Sequence, residues 1–285
     1  MPVPGHEIVG VVSEVGSSTG DLKIGDRVGI GWLGRPCGRC EWCSKGQEQL
    51  CMDIVQAATW LPYGGFSSSV VANSRFANLL PRSMSSEVAA VMMCAGITVY
   101  SPLIARVSQL PLNIGIIGMG GLGHLAIQFA HAMGYEVTAI SSSPDKKKQA
   151  FSFGADHFLD LNDRTALRQR QYAFDFLFCT AHGNFKWEPL LEILKKRGTI
   201  VMIGFPNVSL NSTDLVAHEL TITGSFLGSR LVMREMLAFA AEHNIEPLIQ
   251  SMPMSLINKA IEIVRQNKAR YRIVLYNDLL PNSKA

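Results

Sequence analysis

Charge is scarce in this chain of 285 residues: 26 lysines and arginines stand against 23 aspartates and glutamates, and charged side chains make up 17% of the sequence. The formal net charge is +3, and the lysine run Lys146, Lys147, Lys148 is too short to form a broad cationic face, so no nucleic-acid partner is expected. Long hydrophobic runs are missing too. The most apolar stretch, residues 88–100, is interrupted by Gly96 and Thr98 and reads as too short to cross a bilayer. The first residues have no basic region followed by an apolar one, so they do not read as a secretory signal. Internal repeats and low-complexity segments are absent, which excludes solenoids and arrays. The expectation is a soluble cytoplasmic protein with no membrane partner.

What is present is apolar: 47% of residues are hydrophobic, enough to fill one large domain or two ordinary ones. Up to about residue 90 the chain is rich in Gly, Val and turn residues. Residues 9–15 and 27–30 read as short strands around a turn at Ile24, Gly25, Asp26 and Arg27. Residues 63–66 and 69–72 continue this β-rich style. The rhythm changes at Asn113. Buried apolar runs at 114–117, 137–140, 174–178 and 199–203 alternate with helical spacing at 125–133, 145–153 and 187–196. That alternation predicts an α/β fold with a doubly wound parallel sheet. Beyond residue 244 come a helix at 256–266 and a last strand at 271–275.

Four of the six cysteines, Cys37, Cys40, Cys43 and Cys51, fall in one short segment. Four thiolates at this spacing can close a tetrahedral zinc shell, which braces a loop and leaves no open position for substrate. A redox pair of Cys40 and Cys43, or an iron–sulfur cluster, uses the same residue type. A zinc-ribbon nucleic-acid module is disfavoured because no basic, aromatic stripe accompanies the cysteines.

The run Gly118, Met119, Gly120, Gly121, Leu122, Gly123 follows a buried strand and opens an amphipathic helix. In that context the first glycine permits a tight turn, Gly120 lets backbone amides approach a pyrophosphate, and Gly123 lets helix and strand pack closely. The next strand ends at Ile140, where an NAD-selecting site would carry an acid. Here Ser141, Ser142 and Ser143 stand there, with Lys146 just beyond. Hydroxyls and an ammonium suit a ribose 2′-phosphate, so the cofactor read is NADP(H). The blander reading is that the lysines only solvate a helix face.

These motifs, together with residues 4–12, residues 94–103 and residues 268–274, resemble the medium-chain zinc-dependent alcohol dehydrogenases, in the cinnamyl-alcohol-dehydrogenase-like branch with its bacterial broad-range aldehyde reductases. The resemblance implies a GroES-like catalytic domain over residues 1–95, a Rossmann domain inserted over 96–246, and a return to the catalytic domain over 247–285. It implies that His6 and Cys94 hold a catalytic zinc, with Glu7 beside it or as an alternate ligand, and that Thr98 packs by the nicotinamide. Ser142 and Lys146 would hold the 2′-phosphate and Arg272 would reach the pyrophosphate. Trp32, Trp60 and Tyr63 could line a substrate pocket or fill core. The implied reaction is reversible reduction of aldehydes to primary alcohols by hydride transfer from NADPH. Residues 220–227 read as an apolar strand near a sheet edge, and with the resemblance they point to a homodimer.

Members of that family carry a further zinc-binding cysteine and a proton-relay hydroxyl or histidine ahead of the Gly-His-Glu motif. Met1 stands just before that motif here. The expectation is therefore an N-terminally truncated catalytic domain, an incomplete catalytic zinc shell and slow turnover. The alternative is a non-catalytic nucleotide- and zinc-binding remnant, such as a redox sensor.

Overall fold

Thirteen strands run along the chain in a computed structural model that describes residues 3–56, 64–106 and 112–279. They are β1 Ile8–Val11, β2 Arg27–Ile30, β3 Leu33–Arg35, β4 Val55–Gln56, β5 Ala77–Leu79, β6 Asn113–Ile117, β7 Glu136–Ser141, β8 His157–Asp160, β9 Phe174–Cys179, β10 Leu194–Met202, β11 Thr221–Gly224, β12 Ile249–Pro253 and β13 Arg272–Tyr276. The chain divides into two units, one made of residues up to Ile97 and from Leu227 on, the other of Thr98–Phe226.

The second unit is built on a six-stranded sheet in the order β11-β10-β9-β6-β7-β8, with every pair parallel. Its central strand reads Asn, Ile, Gly, Ile, Ile, and Ile114, Ile116 and Ile117 are each no more than 1% exposed. A strand covered on both faces has no solvated side, so its apolar residues run on without alternation. Helix Gly123–Ala132 buries Leu125, Ile127 and Phe129 completely. Trp187, Leu190, Leu177 and Ile200 lie in a further part of the core.

The helix expected over 187–196 ends at Glu192, and β10 begins at Leu194. Leu194 pairs with Phe174, Lys195 forms an ion pair with Asp175 at 2.9 Å, and the ladder then bulges before Thr199. Sheet pairing thus captures two lysines whose own preference is helical. The short β8 and β12 were not read from the sequence, and residues 69–72 form no strand.

In the first unit β1, β2 and β5 make an antiparallel sheet over a small core of Val28, Ile30 and Ala77. The turn at Gly25 is as expected, with its N–H donating to Val12 O at 2.9 Å. The return to this unit comes at Leu227 rather than at residue 247, because helix Arg230–Glu242 buries Met233, Met236, Leu237 and Ala240 within it. Met236 Sδ lies 3.2 Å from where a Cβ on Gly96 would stand.

The apolar stretch also extends further than its composition suggested. Helical structure runs unbroken over Ser86–Ala105, long and apolar enough to cross a membrane by length and composition, but 72% of its key window is buried inside the fold. Burial on that scale is what a core helix shows. Within it, Met92–Gly96 forms a π-helical turn between the α-helical segments Ser86–Val91 and Ile97–Arg106.

Candidate functional site

The four-cysteine segment folds on itself through its own backbone. Helix Glu41–Ser44 and a 3-10 turn at Glu48–Leu50 reverse the chain, bringing Cys37, Cys40, Cys43 and Cys51 together. Their sulfurs all lie within 4.8 Å of one another, with Cys37 Sγ and Cys43 Sγ 4.0 Å apart. Tetrahedral zinc with Zn–S near 2.3 Å sets its sulfurs about 3.8 Å apart, so the four fit one ion. Amide groups already point at the sulfurs: the Cys40 N–H donates to Cys37 Sγ and the Cys37 N–H to Cys51 Sγ, each at 3.3 Å. The amides of Arg39 and Cys40 hold the Cys37 thiol down to about 6, whereas desolvation pushes the Cys43 thiol up to about 12. None of the six cysteines is in a disulfide.

His6, Glu7 and Cys94 form the second cluster. His6 follows Gly5, whose φ of +105° a side chain would rarely adopt. Residues 3–5 are held by Gly64, Gly65 and Phe66, whose amides donate to Val3 O, Gly5 O and Pro4 O at 2.8, 2.9 and 3.0 Å. A Cβ on Gly64 would stand 2.5 Å from Pro4 backbone, so this approach requires glycine. Cys94 comes from the π-helical turn, a local widening that recurs at functional sites. His6 Nε2 lies 3.3 Å from Cys94 Sγ, close to the spacing of about 3.6 Å for an imidazole and a thiolate on one zinc ion. Burial pulls the His6 pKa below its ordinary value, with Glu7 opposing and Arg272 assisting, and this keeps the ring neutral, as a metal ligand must be.

Glu7 has a partner of its own. Both its oxygens accept from Arg272 Nη2, at 2.5 and 2.6 Å. Burial disfavours the Arg272 charge, but Glu7, aided by Cys94, outweighs it and raises the pKa. Each Glu7 oxygen keeps a second lone pair, so Arg272 can hold Glu7 beside His6 and Cys94 while an oxygen remains able to meet a metal. Arg272, assigned to the pyrophosphate by resemblance, has its guanidinium on Glu7 in the first unit.

The dinucleotide loop carries the expected geometry. Gly118 has φ +89°, and a Cβ on Gly123 would fall 1.8 Å from Gly118 O. Nothing lies within 4 Å of where a Cβ on Gly120 would stand, so Gly120, with half-buried Gly121 and Leu122 beside it, faces an open cradle that a pyrophosphate fits. Lys146 reaches back over this loop and donates to Met119 O at 2.9 Å. Ser141 is buried, and its hydroxyl accepts from the Ser143 N–H at 3.1 Å, so it shapes the turn. Ser142 is left as the exposed hydroxyl. The nearest strand-end acid, overlooked in the sequence, is Asp160, paired with Ser141 across β7 and β8; its carboxylate accepts from Asn162 N–H at 2.9 Å.

Thr98 is buried at the start of the second unit. Trp32 lines a small pocket of the first unit with Phe76, Asn78 and Met93, while Trp60 and Tyr63 lie outside the described residues. The sequence also gave no sign of Glu48, 6% exposed and bound to Arg230 at 2.9 Å.

Comparison with known proteins agrees with this arrangement. Residues 1–82 match the alcohol dehydrogenase GroES-like domain, and residues 121–242 match the zinc-binding dehydrogenase family. The chain is 39% identical over 282 residues to the probable formaldehyde dehydrogenase AdhA of Bacillus subtilis, covering 96% of this chain and 81% of that protein. It superposes on cinnamyl alcohol dehydrogenase SbCAD4 from Sorghum bicolor with a TM-score of 0.91 at 37% identity, covering 96% of this chain and 81% of that one. For the Helicobacter pylori CAD complexed with NADP(H) the TM-score is 0.86 at 32% identity, with the same coverage. A parallel nucleotide-binding sheet and two clusters of metal-ligating side chains define an oxidoreductase of the zinc-binding dehydrogenase class. The chain belongs to the medium-chain zinc alcohol dehydrogenases, in their cinnamyl-alcohol-dehydrogenase-like branch.

Proposed function

We propose that this chain reversibly reduces aldehydes to primary alcohols by hydride transfer from NADPH. The observation that carries the cofactor choice is Lys146, whose ammonium donates to Met119 O on the glycine loop, with Ser142 exposed four positions earlier in the chain. A ribose 2′-phosphate there meets a cation and a donor, and Asp160 is tied into its own turn. The relative solved with NADP(H) supports the same preference. Cys37, Cys40, Cys43 and Cys51 would hold a structural zinc, and His6 with Cys94 a catalytic one. Bound there, zinc would supply Lewis acidity to a substrate oxygen and the nicotinamide would supply the hydride. Around it, the chain keeps His6 neutral by burial and uses Arg272 to fix Glu7 beside the ligands. Thr98 and Arg272 are assigned to the nicotinamide side and the pyrophosphate by the family likeness. The exposed outer strand β11 supports a homodimer.

The test is loss of NADPH absorbance on adding small aromatic and aliphatic aldehydes. Turnover that depends on aldehyde and disappears in Cys94→Ser is expected. A second reading, a nucleotide- and zinc-binding protein without turnover, is favoured by the second cluster gathering just one imidazole, one thiol and one ion-paired carboxylate among the described residues. NADPH binding with no aldehyde-dependent oxidation would select it.

A further inference from the structure

We infer that His182 positions the nicotinamide-side ribose of the bound dinucleotide. The inference rests on the dinucleotide reading of the glycine loop and adds a contact that the fingerprint does not contain. Strand order in the second unit reverses between β6 and β9, and ligands of such sheets sit in the crevice over that point, beyond the strand ends. One wall is the glycine loop after β6; the other is the segment after β9. The two walls are already joined, since Thr180 Oγ1 donates to Gly118 O at 2.8 Å and Ala181 lies against Gly118. His182 is the next residue, and it is exposed.

Its ring is held on two sides. Phe205, just past the end of β10, stacks on it at 6.0 Å with 14° between the planes. The Phe205 N–H donates to His182 Nδ1 at 3.2 Å. A ring nitrogen that accepts a hydrogen bond carries no proton, so the neutral ring bears its N–H on Nε2. That donor has no partner among the described residues. The surrounding loops are fixed before any ligand arrives: Asn207 N–H donates to Gly183 O at 3.0 Å, and the Trp187 indole donates to Asn207 O at 2.9 Å. A rigid, exposed aromatic pair with a free N–H is a poor way to finish a bare surface and a good way to meet a sugar hydroxyl.

The rest of the crevice narrows the choice of ligand atom. The glycine-loop amides take the pyrophosphate, and Ser142 with Lys146, past the end of β7, serve the adenosine half. Strands β9, β10 and β11 form the second mononucleotide half of the sheet, the one left for the nicotinamide nucleotide. Its ribose hydroxyls can accept from Nε2–H.

His182→Phe keeps an aromatic ring against Phe205 and removes the donor. Parent and variant are titrated with NADPH by fluorescence and with 2′,5′-ADP, which lacks the nicotinamide half, by calorimetry. We expect NADPH to bind about tenfold more weakly to the variant and 2′,5′-ADP to bind equally to both. His182→Gln, which restores an amide donor, should recover part of the loss. Unchanged NADPH affinity in His182→Phe overturns the inference, as does an equal loss for 2′,5′-ADP, which would place His182 on the adenosine side. A parent that binds neither ligand would instead bring down the dinucleotide reading itself.

Discussion

The two metal-ligating clusters are built in opposite ways. Cys37 and Cys51 are fourteen positions apart and their loop closes through local turns, whereas His6 and Cys94 are 88 apart and meet only because the first unit has folded. Closing a short loop costs little chain entropy, so the four-thiolate cluster can form as the segment folds and help to hold it. The second cluster is a product of the fold: it needs the glycine contacts at residues 64 and 65, the π-helical turn and Arg272. Metal at the first site should therefore act on folding, and metal at the second on chemistry.

The largest expected effect tests the first half of that contrast. Cys43→Ser should lose the structural zinc and much of the soluble yield, since structural zinc contributes folding free energy outright. Elemental analysis should show one metal fewer per chain, and soluble expression should fall. A variant that keeps full metal content and yield would show that the loop folds without its ion. Next in size, Arg272→Leu should leave the four-thiolate zinc untouched and weaken metal at His6 and Cys94 by about 10–100-fold, the usual cost of losing a partner that orients a metal site. Competition with a chromophoric chelator separates a tight from a weak population. Equal weakening of both would mean that Arg272 acts on global stability.

A smaller effect is expected on the cofactor. Lys146→Ala should weaken NADPH binding about tenfold and leave NADH nearly unchanged, because a charge-assisted hydrogen bond to the 2′-phosphate is lost. Equal losses for both cofactors would return Lys146 to the role of a surface charge.

The same local-versus-distant contrast explains what could be read in the sequence. The glycine loop, the buried strands around it and the cysteine segment each keep their signal within a few consecutive residues, and all three were legible. Glu7 and Arg272 are 265 positions apart, and nothing in either neighbourhood names the other. The burial of Glu48 depends likewise on Arg230. The boundary at residue 246 came from the family resemblance, and nothing local to residues 227–246 says that helix Arg230–Glu242 packs within the first unit. His182 and Phe205 left no motif, since their meaning comes from adjacent strand ends. Asp160 was missed with its short strand, and with it a carboxylate beside Ser141.

The finest test of the comparison lies in the thiols themselves. With metal bound, the four loop cysteines should be shielded from alkylation, because a ligating thiolate has its lone pair on the ion. After chelation the loop should not react uniformly. Cys37, held down to about 6 by backbone amides, is mostly thiolate at pH 7, whereas Cys43, pushed up to about 12 by desolvation, is almost wholly protonated. Thiolate is the nucleophile, so Cys37 should be modified first and Cys43 late. Cys179 sets the baseline: it is fully buried at the end of β9 and burial raises it to about 11, so it should stay silent until the second unit unfolds. Mass spectrometry of iodoacetamide-treated protein, with and without chelator, reads this order. Modification of Cys179 at the same rate as Cys37 would mean that removing the metal opens both units together, and the four-thiolate cluster would then not be a local folding element.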